Sequence, residues 1–265
     1  MKSFKYLLLP AVSAMIMFSC SHVIDPDDPS HGNRYSAESN FSLSVAAAEM
    51  NKLTLNAING SIKIVGQENS DKVLLSGKKI VRSNNERDAH EYMQNIQVSI
   101  AQSGSSLIVT SDQPDDLDGR DVNIDYDIQV PSSWALTVSS YNGGCTFEHV
   151  RGDLMSSLTN GNISLSDIRA NLYIRVTNGQ IAGQVELPYA GSIDAQTTNG
   201  LIVIGFPQTT SAQLSAQVTN GTVNVSGLTL KDMYGSQREI HGTLGGGEGS
   251  IDLKTVNGNI SISGY

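Results

Sequence analysis

The chain has 265 residues, with 26 Asp and Glu against 17 Lys and Arg and a formal net charge of −9. This balance offers no long-range attraction for a phosphate backbone, and no basic stripe compensates for it, so nucleic acid is excluded as an expected partner. Two cysteines cannot build a disulfide framework, and the length accommodates one large all-β body or two smaller ones.

Lys2 and Lys5 precede an apolar stretch, Tyr6 to Phe18, that is too short to span a bilayer as a permanent helix, and Ser19-Cys20 comes directly after it. The arrangement resembles a bacterial lipoprotein signal. That resemblance implies removal of residues 1–19, lipidation of Cys20 and a membrane attachment through the lipid; a plain secretory signal with an incidental Cys20 is the alternative. Residues 20–40 are polar, with Asp25, Pro26, Asp27, Asp28 and Pro29, and read as a flexible tether. Acidic residues at this place resemble the export signal of Bacteroides-type lipoproteins, which implies the outer face of the outer membrane. A solvated linker on a periplasm-facing protein is the other reading.

Residues 41–131 read as an N-terminal β section. Apolar alternation predicts strands near 53–65, 73–81, 96–100, 107–110 and 122–130, and one short helix near residues 85–94 opens after Asn84-Asn85. The helix and its neighbouring strands are expected to cap the N-terminal end of a repeat array, because the terminal coils of such an array expose core and edges.

Residues 132–265 read as β-strand repeats continuous with that section as one body. Seven Asn-Gly pairs mark the repeat: Asn59-Gly60, Asn142-Gly143, Asn160-Gly161, Asn178-Gly179, Asn199-Gly200, Asn220-Gly221 and Asn257-Gly258. The middle five are separated by 18, 18, 21 and 21 residues, a spacing that marks stacked units. Counting Asn as zero, positions −6, −4, −2, +3 and +5 are apolar or small in each unit, as in Leu172, Ile174, Val176, Ile181 and Gly183 around Asn178. Period two commits one face of every strand to a core. Asn and Gly both tolerate positive φ, which suits either the turn of a β-hairpin or the corner of a solenoid. The near-constant spacing favours the solenoid, so the expected fold is all-β, a β-helix-like stack of short strands with Asn-Gly corners superposed along one edge.

The run Asp125-Tyr126-Asp127-Ile128-Gln129-Val130-Pro131, succeeded by units such as Thr177-Asn178-Gly179-Gln180-Ile181, resembles a bacterial β-strand-repeat family of unknown function labelled "putative adhesin". The resemblance covers about residues 41–265. It implies a β-helix-like fold and an envelope location, and it supplies no catalytic or ligand-binding residues and no cofactor.

Candidate sites are few. Cys145 stands at +3 from Asn142, where other units carry Ile or Val, and is expected to be a buried core thiol. No metal is assigned: Asp116, Asp118 and Asp121 lie in an acidic stretch whose Asp116-x-Asp118-Gly119 resembles part of a calcium loop, but Pro114 occupies the place of its first ligand. Arg151-Gly152-Asp153 spells a tripeptide known from receptor recognition and is expected to be a turn between coils. His22, His31, His90, His149 and His241 lack metal-ligand spacing, and Gly245-Gly246-Gly247-Glu248-Gly249 leads into a strand, so it lacks the helix dipole that holds phosphate. The cations after Pro131 (Arg151, Arg169, Arg175, Lys231, Arg238 and Lys254) are scattered along the sequence. The expectation is a non-enzymatic, lipid-anchored surface protein whose ladders of Asn, Thr, Ser and Gln meet a protein or glycan ligand. A polysaccharide-binding or polysaccharide-processing protein, and a periplasm-facing scaffold or signalling partner, are the alternatives.

Overall fold

The computed structural model describes residues 33–112 and 117–265; the expected signal segment, Cys20, His22, His31 and Asp116 lie outside them. The N-terminal section contains β1 (Tyr35–Ala46), β2 (Lys52–Asn59), β3 (Ile62–Gln67), β4 (Lys72–Ser83), α1 (Glu86–Met93), β5 (Gln97–Ser103), β6 (Ser106–Asp112) and β7 (Asp121–Pro131). Five strand pairs come next in the chain: β8 (Ala135–Asn142) with β9 (Cys145–Glu148), β10 (Leu154–Asn160) with β11 (Ile163–Arg169), β12 (Leu172–Asn178) with β13 (Ile181–Glu186), β14 (Ser192–Asn199) with β15 (Ile202–Phe206), and β16 (Ala212–Asn220) with β17 (Val223–Ser226). A hairpin of β18 (Leu230–Ser236) and β19 (Glu239–Leu244) precedes the last pair, β20 (Gly249–Asn257) and β21 (Ile260–Gly264).

The two strands flanking each Asn-Gly lie in different sheets, which decides between hairpin and solenoid corner. The strand before the corner joins an eleven-stranded sheet and the strand after it a ten-stranded one. Successive coils pair in parallel and in register, so Leu154 stands beside Leu172 and Asn160 beside Asn178. The inward positions of the repeat meet between the two sheets. Leu154, Leu158, Ile174, Ile181, Ile193, Ile202, Leu253 and Ile260 are all buried there, with Phe147 and Phe206 the largest fully buried side chains. Each such aliphatic residue contributes about 1.5–3 kcal/mol.

Coil order in space departs from chain order at both ends. From one end the stack reads β6/β7, β2/β3, β8/β9, β10/β11, β12/β13, β14/β15, β20/β21, β16/β17. The last coil of the chain is therefore threaded between two earlier ones, so Asn199 and Asn220, expected as neighbours, are separated by Asn257.

Antiparallel strands close the ends. β4 pairs with β7 and β1 with β4 on one sheet, and β5 pairs with β6 on the other. β1 begins at Tyr35, inside the stretch expected to be tether. Its polar Ser36–Asn40 segment is a half-buried strand, with Ala37 and Ser39 inward and every residue paired to β4. At the opposite end, residues 227–248 depart from the repeat: β19 runs antiparallel to β16, and β18 covers β19. The outer strand β18 carries Lys231, Asp232 and a register irregularity, devices that discourage further strand pairing.

The helix starts where the sequence predicts. Asn85 caps it by accepting from the N–H of Arg87 and Asp88, and Ala89, Tyr92 and Met93 are buried. Arg120 clamps it to the body, donating to both Asp88 oxygens at 2.8 and 2.7 Å with its guanidinium 4.6 Å from the Tyr92 ring centroid. The Arg120 hydrogen bonds, and after them that from Ser83, hold the Asp88 carboxyl down at about 2. A depressed folded-state pKa stabilises the fold above the usual carboxylate range, and that stability is lost as pH falls toward about 2. Asp88→Asn is thus expected to lower Tm at pH 7, with the deficit against the parent shrinking in melts at pH 4 and nearly gone at pH 2.

Candidate functional site

The Asn-Gly edge is tied together by its own amides. Each Asn amide donates to the Oδ1 of its neighbour: Asn142 to Asn59 at 2.7 Å, Asn160 to Asn142, Asn178 to Asn160 and Asn199 to Asn178 at 2.8 Å, Asn257 to Asn199 at 2.7 Å and Asn220 to Asn257 at 2.8 Å. All six point toward the N-terminal cap, where Asn59 donates to the Val122 carbonyl at 3.2 Å, an alignment in which each bond polarises the next. None of these Asn residues has positive φ; only the glycines do. The sequence expectation of positive φ at both positions is thereby corrected: Asn ends the strand in extended backbone and is selected by the amide ladder. The asparagines therefore hold the corner by bonding coil to coil.

The outer face of the eleven-stranded sheet is different. A groove of about 900 Å³ runs across it beside the corner, along the stacking direction. The row three residues before each Asn contributes Ser157, Arg175, Gln196, Lys254 and Gln217, brought side by side by the parallel register. The row one residue before contributes Thr159, Thr177, Thr198, Val256 and Thr219. Tyr141 stands toward one end, and the turn of the β18–β19 hairpin brings Ser236, Arg238 and Glu239 to the other. Arg175, Lys254 and Arg238, scattered in sequence, thus converge on one surface.

Its charged groups are held in place. Arg175 donates to an Asp194 oxygen at 2.5 Å and stacks 3.8 Å from the Tyr173 ring centroid. Gln196 also donates to Asp194, at 3.0 Å, and Lys254 to Asp252 at 2.5 Å. Burial pushes the Asp194 carboxyl up, but Arg175, Gln196 and Lys254 outweigh it and leave its pKa below the ordinary range. Glu239 is lowered by its hydrogen bonds from His241 and Gln217, at 2.7 Å each.

The remaining sequence candidates are structural. Cys145 is buried, and desolvation pushes its thiol up to about 12. A thiol reagent is expected to label it only after denaturation; rapid labelling of native protein would contradict its core placement. In Arg151-Gly152-Asp153, Arg151 donates to the Asp167 carboxylate at 2.7 Å, Asp153 accepts from Asn171 at 2.9 Å, and a Cβ on Gly152 would stand 2.3 Å from the Trp134 carbonyl oxygen. The tripeptide is a locked turn between coils. Asp118 pairs with Arg120 at 3.4 Å and Asp121 accepts from Asn33 at 2.9 Å, and the described residues contain no group of three His, Cys, Asp or Glu placed to hold a metal. The glycine-rich run wraps Ser211, whose Oγ accepts from Gly246 and Gly247 and donates to Glu248. His149 pairs with Asp167 at 2.6 Å, and His241 stacks on Tyr234 at 4.9 Å between centroids.

The sequence matches the family described as Toastrack DUF4097 over residues 32–263. No curated protein matches it. Among solved structures, it is similar to a "putative cell adhesion protein" from Clostridium sporogenes ATCC 15579, at 16% identity and TM-score 0.44 over 84% of this chain and 99% of that one. It is also similar to a "putative adhesin" from Bacteroides fragilis NCTC 9343, at 10% identity and TM-score 0.33 over 85% and 97%. A "putative lipid binding protein" from Parabacteroides distasonis ATCC 8503 aligns at 10% identity and TM-score 0.26 over 89% and 98%.

Proposed function

The chain belongs to the Toastrack DUF4097 family, and on that premise we propose that it is a non-enzymatic cell-envelope protein that binds a ligand along the outer face of its eleven-stranded sheet. The observation that carries this reading is the groove of about 900 Å³, whose rows of hydroxyl, amide and cationic side chains face outward beside the asparagine ladder.

Attachment completes the proposal. Lipidation at Cys20 would tether the solenoid to the outer membrane, with the polar segment after it acting as a spacer, and display on the outer face suits an adhesive role. No helix of the described residues is long and apolar enough to cross a membrane.

Two experiments test it. Thr177→Trp with Thr198→Trp, both at exposed positions in the groove, should abolish attachment of the purified protein to surfaces or matrix that the parent binds, with Tm retained. Undiminished attachment would overturn the groove assignment. Protease added to intact cells should digest the protein as it does after permeabilisation; protection until permeabilisation would turn the proposal to a periplasm-facing partner.

A further inference from the structure

We infer that the groove takes an extended acidic polysaccharide, a chain of sugars bearing carboxylate groups, and this rests on the groove being the binding face. The charge distribution is the first reason. The whole chain is acidic, yet three of the six cations located after Pro131 line this one groove; Asp194 and Asp252 pair with Arg175 and Lys254 from the adjacent row, which leaves Arg238, beside Glu239 at the hairpin turn, as the cation open to a ligand. Arg175 and Lys254 are oriented by Asp194 and Asp252, which stand in the adjacent row two residues further from the corner. Arg238 is exposed at the hairpin turn, its backbone N–H bonded to Ser236 Oγ at 3.2 Å and its guanidinium without a carboxylate partner among the described residues. A planar guanidinium left in this state is a bidentate donor for a carboxylate.

Periodicity is the second reason. Parallel strands repeat about every 4.8 Å, so the groove offers a regular series of hydroxyl and amide groups that both donate and accept. A polymer with a repeating set of hydroxyls can be met unit by unit along such a face. A folded protein partner is a poorer fit, because protein interfaces concentrate their affinity in a cluster of large apolar or aromatic anchors. Here the threonine row is interrupted only by Val256, and the exposed aromatic Tyr141 stands toward one end of the groove.

The test is calorimetric titration of the purified full-length protein with polygalacturonate oligomers and, separately, with neutral cellohexaose. The acidic oligomers are expected to bind more tightly, and to weaken as salt is raised from about 50 to about 500 mM because the cations sit at a solvated surface. Arg238→Gln should reduce that affinity by about tenfold or more while leaving Tm unchanged. Equal, salt-independent binding of both oligomers would overturn the acidic assignment and leave the groove as a neutral glycan site. Absence of binding to either at millimolar concentration would overturn the inference even where the tryptophan variants abolish attachment, since that pair of results keeps the groove and removes the glycan.

Discussion

Replacing Gly200 by alanine is expected to destabilise the fold severely. The residue sits at φ +157°, and a Cβ there would lie 1.8 Å from the Gly179 carbonyl oxygen and 2.7 Å from its carbon. Neither atom can move away, because both belong to the backbone of the preceding coil, whose Gly179 N–H donates to the Asn199 carbonyl at 2.9 Å. On the other side Gly200 itself donates to Asn257 at 2.8 Å. Admitting a methyl group means separating coils that are held by the strand ladder and the amide ladder together. The expected cost is about 4 kcal/mol or more, in the range reserved for core disruption. Gly104→Ala is the control: its φ of +58° is also unfavourable for alanine, but nothing lies within 4 Å of the new Cβ. That variant should lose only about 1–2 kcal/mol. Denaturant titration of the two variants reads the difference, and a Gly200→Ala protein as stable as the Gly104→Ala protein would refute the stacked corner.

Deleting residues 249–265 is expected to leave no folded protein. In an array whose coils stack in chain order, removing the last coil shortens the stack and costs roughly one repeat. This coil is interior. β20 lies between β14 and β16, and β21 between β15 and β17, so its loss strips pairing from four strands and separates the terminal coil and its hairpin from the body. Ile251, Leu253, Ile260 and Ile262 leave the core with it. Four aliphatic side chains at about 1.5–3 kcal/mol each amount to about 6–12 kcal/mol, comparable with the entire stability of a typical domain. The truncated chain should be insoluble or melt without a cooperative transition, and a soluble form with a sharp melt would show that the slot can close on itself.

Much of the architecture is legible in the sequence because its causes are local. Alternation of apolar residues around each Asn-Gly reports burial on one face of a strand, and a return to the same corner after 18 or 21 residues reports a coil of fixed circumference. The helix is legible for the same reason, since an Asn cap and its first-turn amides are neighbours in sequence. The role of the corner asparagine is only half legible. Tolerance of positive φ is an intrinsic property and is the reason the sequence suggests for the residue, whereas the amide ladder exists only between coils and is the operative one. Ser36–Asn40 reads as tether from its composition, and it is a strand because its burial depends on β4, more than thirty residues away.

The sequence by itself determined that this is an all-β stack with Asn-Gly corners, a buried Cys145 and a capped first end, since each follows from side-chain period, backbone preference or spacing along the chain. Only the tertiary structure decided the order of the coils. The 37-position step from Asn220 to Asn257 holds a hairpin excursion, and nothing in its composition says that the chain then returns to the inner side of the coil it has just made. Tertiary structure also decided the groove. Arg175, Arg238 and Lys254 are up to 79 positions apart in sequence, and they share a surface because parallel register sets equivalent positions of successive coils side by side and the closing hairpin turns back onto the same face.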